Sequence, residues 1–242
     1  MPATDAVRPA HALLGLRGIA LLRGCSDETL AEVAAACRFQ RVRARQTVIA
    51  RDDPDCDCFL VLSGHLRVVA LSPGGRELSF RDALAGETIG ELSALTGHAR
   101  SATVLALQES LLGRLGAPDL KALMRRHWPI AERMLEHLAD SARALTARVY
   151  EVSALTVQQR LCAELTRLAL AADAAAHDRV ALHAPPTHHE LAMRISSYRE
   201  QVTREFAALA RMRLVSRERG QIVIEDLPRL ARLGDASRLR AA

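Results

Sequence analysis

Leu30, Val33 and Ala34 recur at helical spacing behind Ser26, a side chain suited to an N-cap, with Glu28 in the first turn. That pattern predicts a short amphipathic helix over 26–37. From about residue 38 to 116 the texture changes. Short β-prone runs (47–50, 58–62, 66–71, 77–80, 102–107 and 111–115) alternate with turn signals at Asp52-Asp53-Pro54-Asp55, Ser63-Gly64, Pro73-Gly74-Gly75 and Ala85-Gly86. Many short strands at regular spacing predict an antiparallel sandwich or barrel, here a small β-roll.

Pro129 opens an uninterrupted helical pattern to about Leu155, roughly 40 Å of helix at 1.5 Å per residue. Leu135, Leu138, Ala142, Leu145, Val149 and Val152 alternate at three- and four-residue steps. Such an a/d seam is narrower than the stripe of a helix lying on a core, and it predicts a homodimer interface through the 129–155 helix. A hinge at 153–156 leads to a second amphipathic helix, 157–172, with Leu161, Leu165, Leu168 and Ala169 on one face. A polar loop containing Asp173 and His177-Asp178 follows, then a β-prone run at 180–183 and the stiff Pro185-Pro186.

Thr187-x-x-Glu190 has capping-box spacing before a short helical turn. Ile195-Ser196-Ser197 breaks that turn, and a second helix is expected from about Tyr198 to Met212, burying Val202, Phe206, Leu209 and Met212. Two short helices across a tight turn form a helix-turn-helix, whose second helix reads base edges from its N-terminal residues. Arg199 and Arg204 can each fork onto guanine O6 and N7, and Glu200 can accept from cytosine N4. Ser197-x-x-Glu200 offers a competing role for Glu200, as half of a second capping box. The run 215–224 reads as a β-hairpin with a basic, glycine-bearing tip, the wing of a winged helix, whose arginines suit phosphates.

The 242 residues carry a formal charge of +5, and Lys121 is the only lysine. From Thr156 onward there are 14 arginines against 10 acids, so most of the excess lies where nucleic acid is expected. No apolar run approaches the roughly 18 residues of a membrane span, and residues 1–24 lack a secretory pattern, which predicts a cytoplasmic protein without a membrane partner. The five cysteines lack zinc-finger spacing, and no metal is expected. Cys56-Asp57-Cys58 is the one close pair, read either as a metal or oxidation site or as small residues near a turn. No nucleophile and base stand in a plausible catalytic frame, so an enzyme is not expected.

Ile89-Gly90-Glu91-Leu92-Ser93 and Arg100-Ser101-Ala102-Thr103-Val104 form the densest chemistry of the chain. Gly90 permits a tight turn whose backbone approaches a ligand. Arg100 can fork onto anionic oxygens, with the Ser101 hydroxyl beside it. Glu91 cannot bind phosphate and needs a hydroxyl to accept from. Together these residues describe a site for a singly charged sugar phosphate, or else a Glu91–Arg100 salt bridge tying down a loop.

These two stretches closely resemble the phosphate-binding cassette of cyclic nucleotide-binding domains. From about residue 25 to 226 the chain resembles the cyclic AMP receptor and fumarate-nitrate regulator family of bacterial transcription regulators. The resemblance implies an α+β chain. A jelly-roll-like antiparallel β-roll (25–117) follows an N-terminal segment (1–24). A dimerisation helix and hinge (118–155), a winged helix-turn-helix (156–226) and a tail (227–242) complete it. Carried across, Gly90, Leu92 and Ser93 offer backbone contacts, Glu91 holds the ribose 2′-hydroxyl, and Arg100 and Ser101 hold the cyclic phosphate. Arg199, Glu200 and Arg204 match base-reading positions for a TGTGA-like half-site, and His188, His189, Tyr198 and Gln201 match phosphate contacts. RNA polymerase is the further partner the family implies.

One departure stands out. Family members activated by cyclic AMP carry a Thr-Ser pair facing adenine, and the matching positions here are Leu145-Thr146. The resemblance therefore implies cyclic AMP first and cyclic GMP second. The alternative is a regulator of the same family that acts without ligand or senses redox state through its cysteines.

Overall fold

The computed structural model describes residues 14–71, 77–172 and 178–234. The expected turn at Pro73-Gly74-Gly75, the loop residues Asp173 and His177, most of the N-terminal segment and the end of the tail lie outside the described residues. The chain divides into two compact units, Met1–Asp140 and Ser141–Ala242.

In the first unit, α1 (Asp27–Ala36) begins where expected, with the Ser26 side chain accepting from the Thr29 amide. Eight strands follow: β1 (Cys37–Val42), β2 (Thr47–Ile49), β3 (Cys58–Ser63), β4 (His65–Leu71), β5 (Glu77–Leu84), β6 (Thr88–Ile89), β7 (Thr103–Ala106) and β8 (Ser110–Leu115). They form two four-stranded antiparallel sheets, β1-β8-β3-β6 and β2-β7-β4-β5. β1 and β6 had no counterpart among the expected runs, because β1 is half polar and breaks its alternation at Gln40-Arg41, and β6 has only two residues.

β3 is apolar at nearly every position because both of its faces are covered. Phe59 and Val61 join Val42, Ile49, Leu66, Val104 and Leu112 in one core. Cys58 and Leu60 join a second core with Leu16, Leu30, Leu120, Ile130 and Met134. A strand buried on both sides needs a continuous apolar run rather than alternation.

Between β6 and β7 lies α2 (Glu91–Thr96), and after β8 come α3 (Ala117–Arg126) and the long α4 (Trp128–Ala154). α3 has Pro118 at its start, Asp119 in its first turn and Arg125 and Arg126 in its last, an order that complements the helix dipole. The positions expected to form a seam on α4 are divided between surface and core. Leu135, Leu145, Val149 and Val152 are exposed. Leu138 instead packs on the core that holds Ile130 and Met134.

The second unit continues with α5 (Val157–Ala172), β9 (Val180–Leu182), α6 (His188–Arg194), α7 (Arg199–Arg211), β10 (Val215–Glu218), β11 (Gln221–Ile224) and α8 (Leu227–Leu233). Its core joins Leu161 and Leu165 of α5, Leu191 of α6, Val202, Phe206 and Leu209 of α7 and Ile222 of the hairpin. Met212, expected in that core, is exposed. The sheet runs β10-β11-β9, and its hairpin turns through Arg219 (φ 48°) and Gly220 (φ 81°), the paired positive φ values of a tight hairpin turn.

A chain of ion pairs binds the helices of this unit together. Glu151 and Glu164 are buried; Arg167 reaches Glu151 at 2.5 Å and Glu164 at 2.8 Å, and Arg194 reaches Glu164 at 3.2 Å. Arg160 donates to the Val152 and Leu155 carbonyls, closing the C-terminal end of α4. Arg148 donates to Ser196 in the turn between α6 and α7.

Candidate functional site

Gly90 sits between β6 and α2 in the left-handed region, at φ 80°. A Cβ there would lie 2.6 Å from Arg100 Nη1 and 3.0 Å from the Asp57 carbonyl, so both conformation and space demand glycine. The loop before β3 zips to the Arg100 backbone: Arg100 N–H donates to Asp53 O at 3.0 Å, and Asp52 N–H donates to Arg100 O at 2.9 Å.

The Arg100 side chain is 2% exposed. Its Nη1 donates to Gly90 O at 3.1 Å, and its Nη2 donates to Asp57 O at 2.6 Å and Asp55 Oδ2 at 3.1 Å. Its Nε is buried without a hydrogen-bond partner. Arg114, on β8, holds the same acids from the other side, bonding Asp57 through Nε and Asp55 through Nη2. Both guanidinium groups stand 5.9 Å from the Phe59 ring centre, within cation–π range. Burial pushes the Asp55 carboxyl up, but Arg100, the Asp57 amide and Arg114 hold it below the usual carboxylate range.

The Glu91–Arg100 salt bridge weighed above is not the arrangement found. Glu91 is buried and faces His137 of α4, with Oε1 and Nε2 3.7 Å apart. That separation is too long for a hydrogen bond, and His137 Nε2 has no hydrogen-bond partner. Burial pushes the Glu91 carboxyl up; His137, a backbone amide and Arg81 bring it below its ordinary value. Ser93 is buried on α2, Leu92 is exposed, and Ser101 is exposed beside Arg100. A cavity of about 260 Å³ lies nearby, lined by Leu21, Glu87, Thr88, Arg133 and His137 among others, but Gly90, Glu91 and Arg100 do not line it.

Leu145 and Thr146 lie on exposed positions of α4 in the second unit. Thr146 Oγ1 donates to the Ala142 carbonyl at 2.9 Å, which leaves its lone pairs outward.

The helix-turn-helix is built as its spacing predicts. The Thr187 side chain accepts from Glu190 N–H and the Glu190 side chain accepts from Thr187 N–H, closing the capping box. The rival box at Ser197 does not form: Tyr198 is the N-cap of α7 without a side-chain cap bond, and Ser197 bonds Gln201 instead. That leaves Glu200 exposed together with Tyr198, Arg199, Thr203 and Arg204 on one outward surface. His189 is exposed, while His188 and Gln201 are half-buried. His188 packs on Phe206, with ring centres 5.1 Å apart, and Arg217 of the wing covers the same ring at 5.4 Å.

Three of the five cysteines, Cys37, Cys58 and Cys162, sit where burial disfavours the thiolate. Burial pushes the Cys37 and Cys162 thiols up to about 12 and raises Cys58 further still. A reactive thiol needs the opposite shift. Cys56 lies outside β3 and donates to the Pro54 and His98 carbonyls, so the C-x-C pair does not share a strand face. Among the described residues no group of three His, Cys, Asp or Glu side chains is placed to hold a metal ion, and no helix is long and apolar enough to cross a membrane.

Asp55, Arg114 and His137 escaped the sequence reading. The one available signal was the density of aspartates at 52–57, which reads equally as a solvated turn.

The profile of the cyclic nucleotide-binding domain matches residues 39–127, and that of the Crp-like helix-turn-helix domain matches residues 159–233. The transcriptional regulator LdrP of Thermus thermophilus is 30% identical over 199 residues, covering 80% of this chain and 95% of LdrP. An uncharacterised NTE family protein of Mycobacterium tuberculosis is 29% identical over 199 residues, covering 81% of this chain and 33% of that protein. The chain thus spans about a third of the length of that relative. A solved CRP/FNR-family transcriptional regulator, also from Thermus thermophilus, is 26% identical, with a TM-score of 0.61 over 82% of this chain and 98% of its own.

Proposed function

This chain belongs to the CRP/FNR family of transcription regulators, and from that premise we propose that it is a cytoplasmic homodimer whose DNA binding is controlled by a cyclic nucleotide. The observation that carries the reading is the state of Arg100. It is a buried cation whose Nε–H has no acceptor, beside a glycine turn and a carboxylate able to take a hydroxyl. A buried donor left unmade costs about 1–3 kcal/mol, and the phosphate of a cyclic nucleotide would satisfy it. Glu91 accepts from the ribose 2′-hydroxyl, and the amides of Leu92 and Ser93 lie along the same span.

Base choice falls to Leu145 and Thr146. The Thr146 hydroxyl spends its hydrogen on Ala142 O and is left an acceptor. An acceptor suits the 6-amino group of adenine, while on guanine it must avoid the 6-oxo group and use N1–H or the 2-amino group, so cyclic AMP is the first ligand of this reading and cyclic GMP the second. With nucleotide bound, the arginines of α7 read a two-fold, TGTGA-like operator. In a two-fold dimer the two α7 helices sit about 34 Å apart, one turn of DNA. Nucleotide acts by binding more tightly to that arrangement than to others. RNA polymerase is the partner the bound dimer meets.

Calorimetry with cyclic AMP and cyclic GMP, followed by binding to an operator-like duplex, tests the reading. Arg100→Ala is expected to weaken nucleotide binding at least about 100-fold, through loss of the buried cation and its charge-assisted hydrogen bonding to phosphate. Full nucleotide-dependent operator binding by that variant would refute the assignment.

A further inference from the structure

Aspartates stand at 52, 53, 55 and 57 in the loop that closes over Arg100, an unusual density of negative charge beside a site for an anion. We propose that Asp55 is a specificity-determining residue of this pocket, an in-chain carboxylate that shares the Arg100 guanidinium with the ligand phosphate and restricts the site to ligands of a single negative charge. The proposal rests on the reading that the pocket takes a cyclic phosphate.

Asp55 is not needed to place Arg100. Two backbone carbonyls, Gly90 O at 3.1 Å and Asp57 O at 2.6 Å, already fix the guanidinium, and both belong to chain anchored in the sheet. What Asp55 adds at 3.1 Å is charge. Nη2 then has both hydrogens committed, to Asp55 and to Asp57 O, and Nη1 has one committed to Gly90 O. A ligand oxygen is left the Nε hydrogen and one hydrogen of Nη1, with the Asp55 carboxylate as neighbour.

Arg114 keeps Asp55 in this position, reaching its Oδ1 at 3.3 Å while also bonding Asp57. The carboxylate is therefore ionised and clamped, not a swinging side chain. Repulsion between like charges scales with the charge of the incoming ligand. A cyclic phosphodiester carries one negative charge and meets that repulsion once; a phosphomonoester carries close to two at neutral pH and meets it nearly twice.

The test titrates the full chain at pH 7.5 and low ionic strength with cyclic AMP, cyclic GMP and 5′-AMP as the dianionic probe. Asp55→Asn is expected to tighten cyclic nucleotide binding about tenfold, or about 1.4 kcal/mol, and 5′-AMP binding about 100-fold. The preference for the cyclic ligand then falls about tenfold. Asp55→Ser should do the same. Asp52→Asn should match the parent protein, since the Asp52 side chain is 82% exposed and pairs with Arg51 rather than with the Arg100 guanidinium.

Parent-like or weaker binding by both Asp55 variants overturns the proposal, and so does loss of folding in both, seen by circular dichroism. A parent protein silent to nucleotide with an Asp55→Asn variant that binds upholds it. If parent and variants all bind operator DNA while none binds nucleotide, the pocket reading itself fails, and the role of Asp55 falls with it.

Discussion

His188 Nδ1 lies 2.9 Å from the Thr203 hydroxyl, tying the first residue of α6 to the outward face of α7. Thr203 gives its own hydrogen to Arg199 O, so it accepts from His188, and the neutral imidazole carries its proton on Nδ1. Burial, then Arg217 and Arg199, hold the imidazole below its ordinary 6.5. The negative charge of bound DNA would offset that of both arginines and lift it again, so binding takes up protons. Operator affinity is therefore expected to rise as pH falls from about 7.5 to 5.5, and His188→Gln to flatten that dependence. Folding has the opposite sign: the unfolded imidazole binds protons more readily, so stability present above pH 6.5 is lost as pH falls through the folded value. A parallel pH slope in the Gln variant and the parent, in both melts and DNA titrations, would exclude this role for His188.

The exposed stripe of Leu145, Val149 and Val152 carries the dimer prediction. Val149→Glu places a carboxylate on that seam, where like charges would face each other across a two-fold axis. Sedimentation velocity should find a monomer for the variant at concentrations where the parent is dimeric, and operator affinity should fall with it. Dimers of unchanged strength would move the interface elsewhere.

The capping box at Thr187 and Glu190 makes a stability prediction local to the second unit. Thr187→Ala removes the acceptor for Glu190 N–H and should cost about 1 kcal/mol. Glu190→Ala removes the reciprocal bond. Because each residue's bond supports the other's, the double variant should cost less than the sum of the two. Urea denaturation of the four proteins measures the difference, and strict additivity would show that the two bonds act separately.

Glu151 tests the ion network beneath the helix-turn-helix. It accepts from Arg167 at 2.5 Å with a side chain only 7% exposed. Glu151→Ala leaves Arg167 without one of its two carboxylates. The expected loss is about 2–3 kcal/mol, less than for full burial because Arg167 keeps a third of its side chain in water. A loss below about 0.5 kcal/mol would mark the network as a surface one. Operator affinity measured at a temperature where the variant is folded should also fall, since Arg148 joins Glu151 to Ser196 at the head of α7.

Most helices were legible before any coordinates because their signals are local. Ser26 caps α1, the Thr187–Glu190 pair opens α6, and Val202, Phe206 and Leu209 mark the buried side of α7. Each depends on residues within a turn or two of one another. The two-residue β6 is too short for a period to emerge, β1 breaks its alternation at Gln40-Arg41, and α3, though as long as α1, opens at Gly116 without a side-chain cap. Leu138 fitted the seam by spacing yet packs inward, because spacing defines a helix face but not what covers it.

The sequence by itself determined the order of elements and the chemistry of Gly90, Glu91 and Arg100, whose residue types admit few uses at that spacing. Only the tertiary structure decided their partners. Arg100 meets Asp55 from 45 residues away, and Glu91 turns to His137. The reason is register: β3 and β8 pair antiparallel, with Cys58 opposite Leu115 and Phe59 opposite Arg114, which carries the aspartates before β3 to the arginine of β8. A slip of one residue would have reversed which side chains face the pocket, and no local pattern in the chain records which pairing wins.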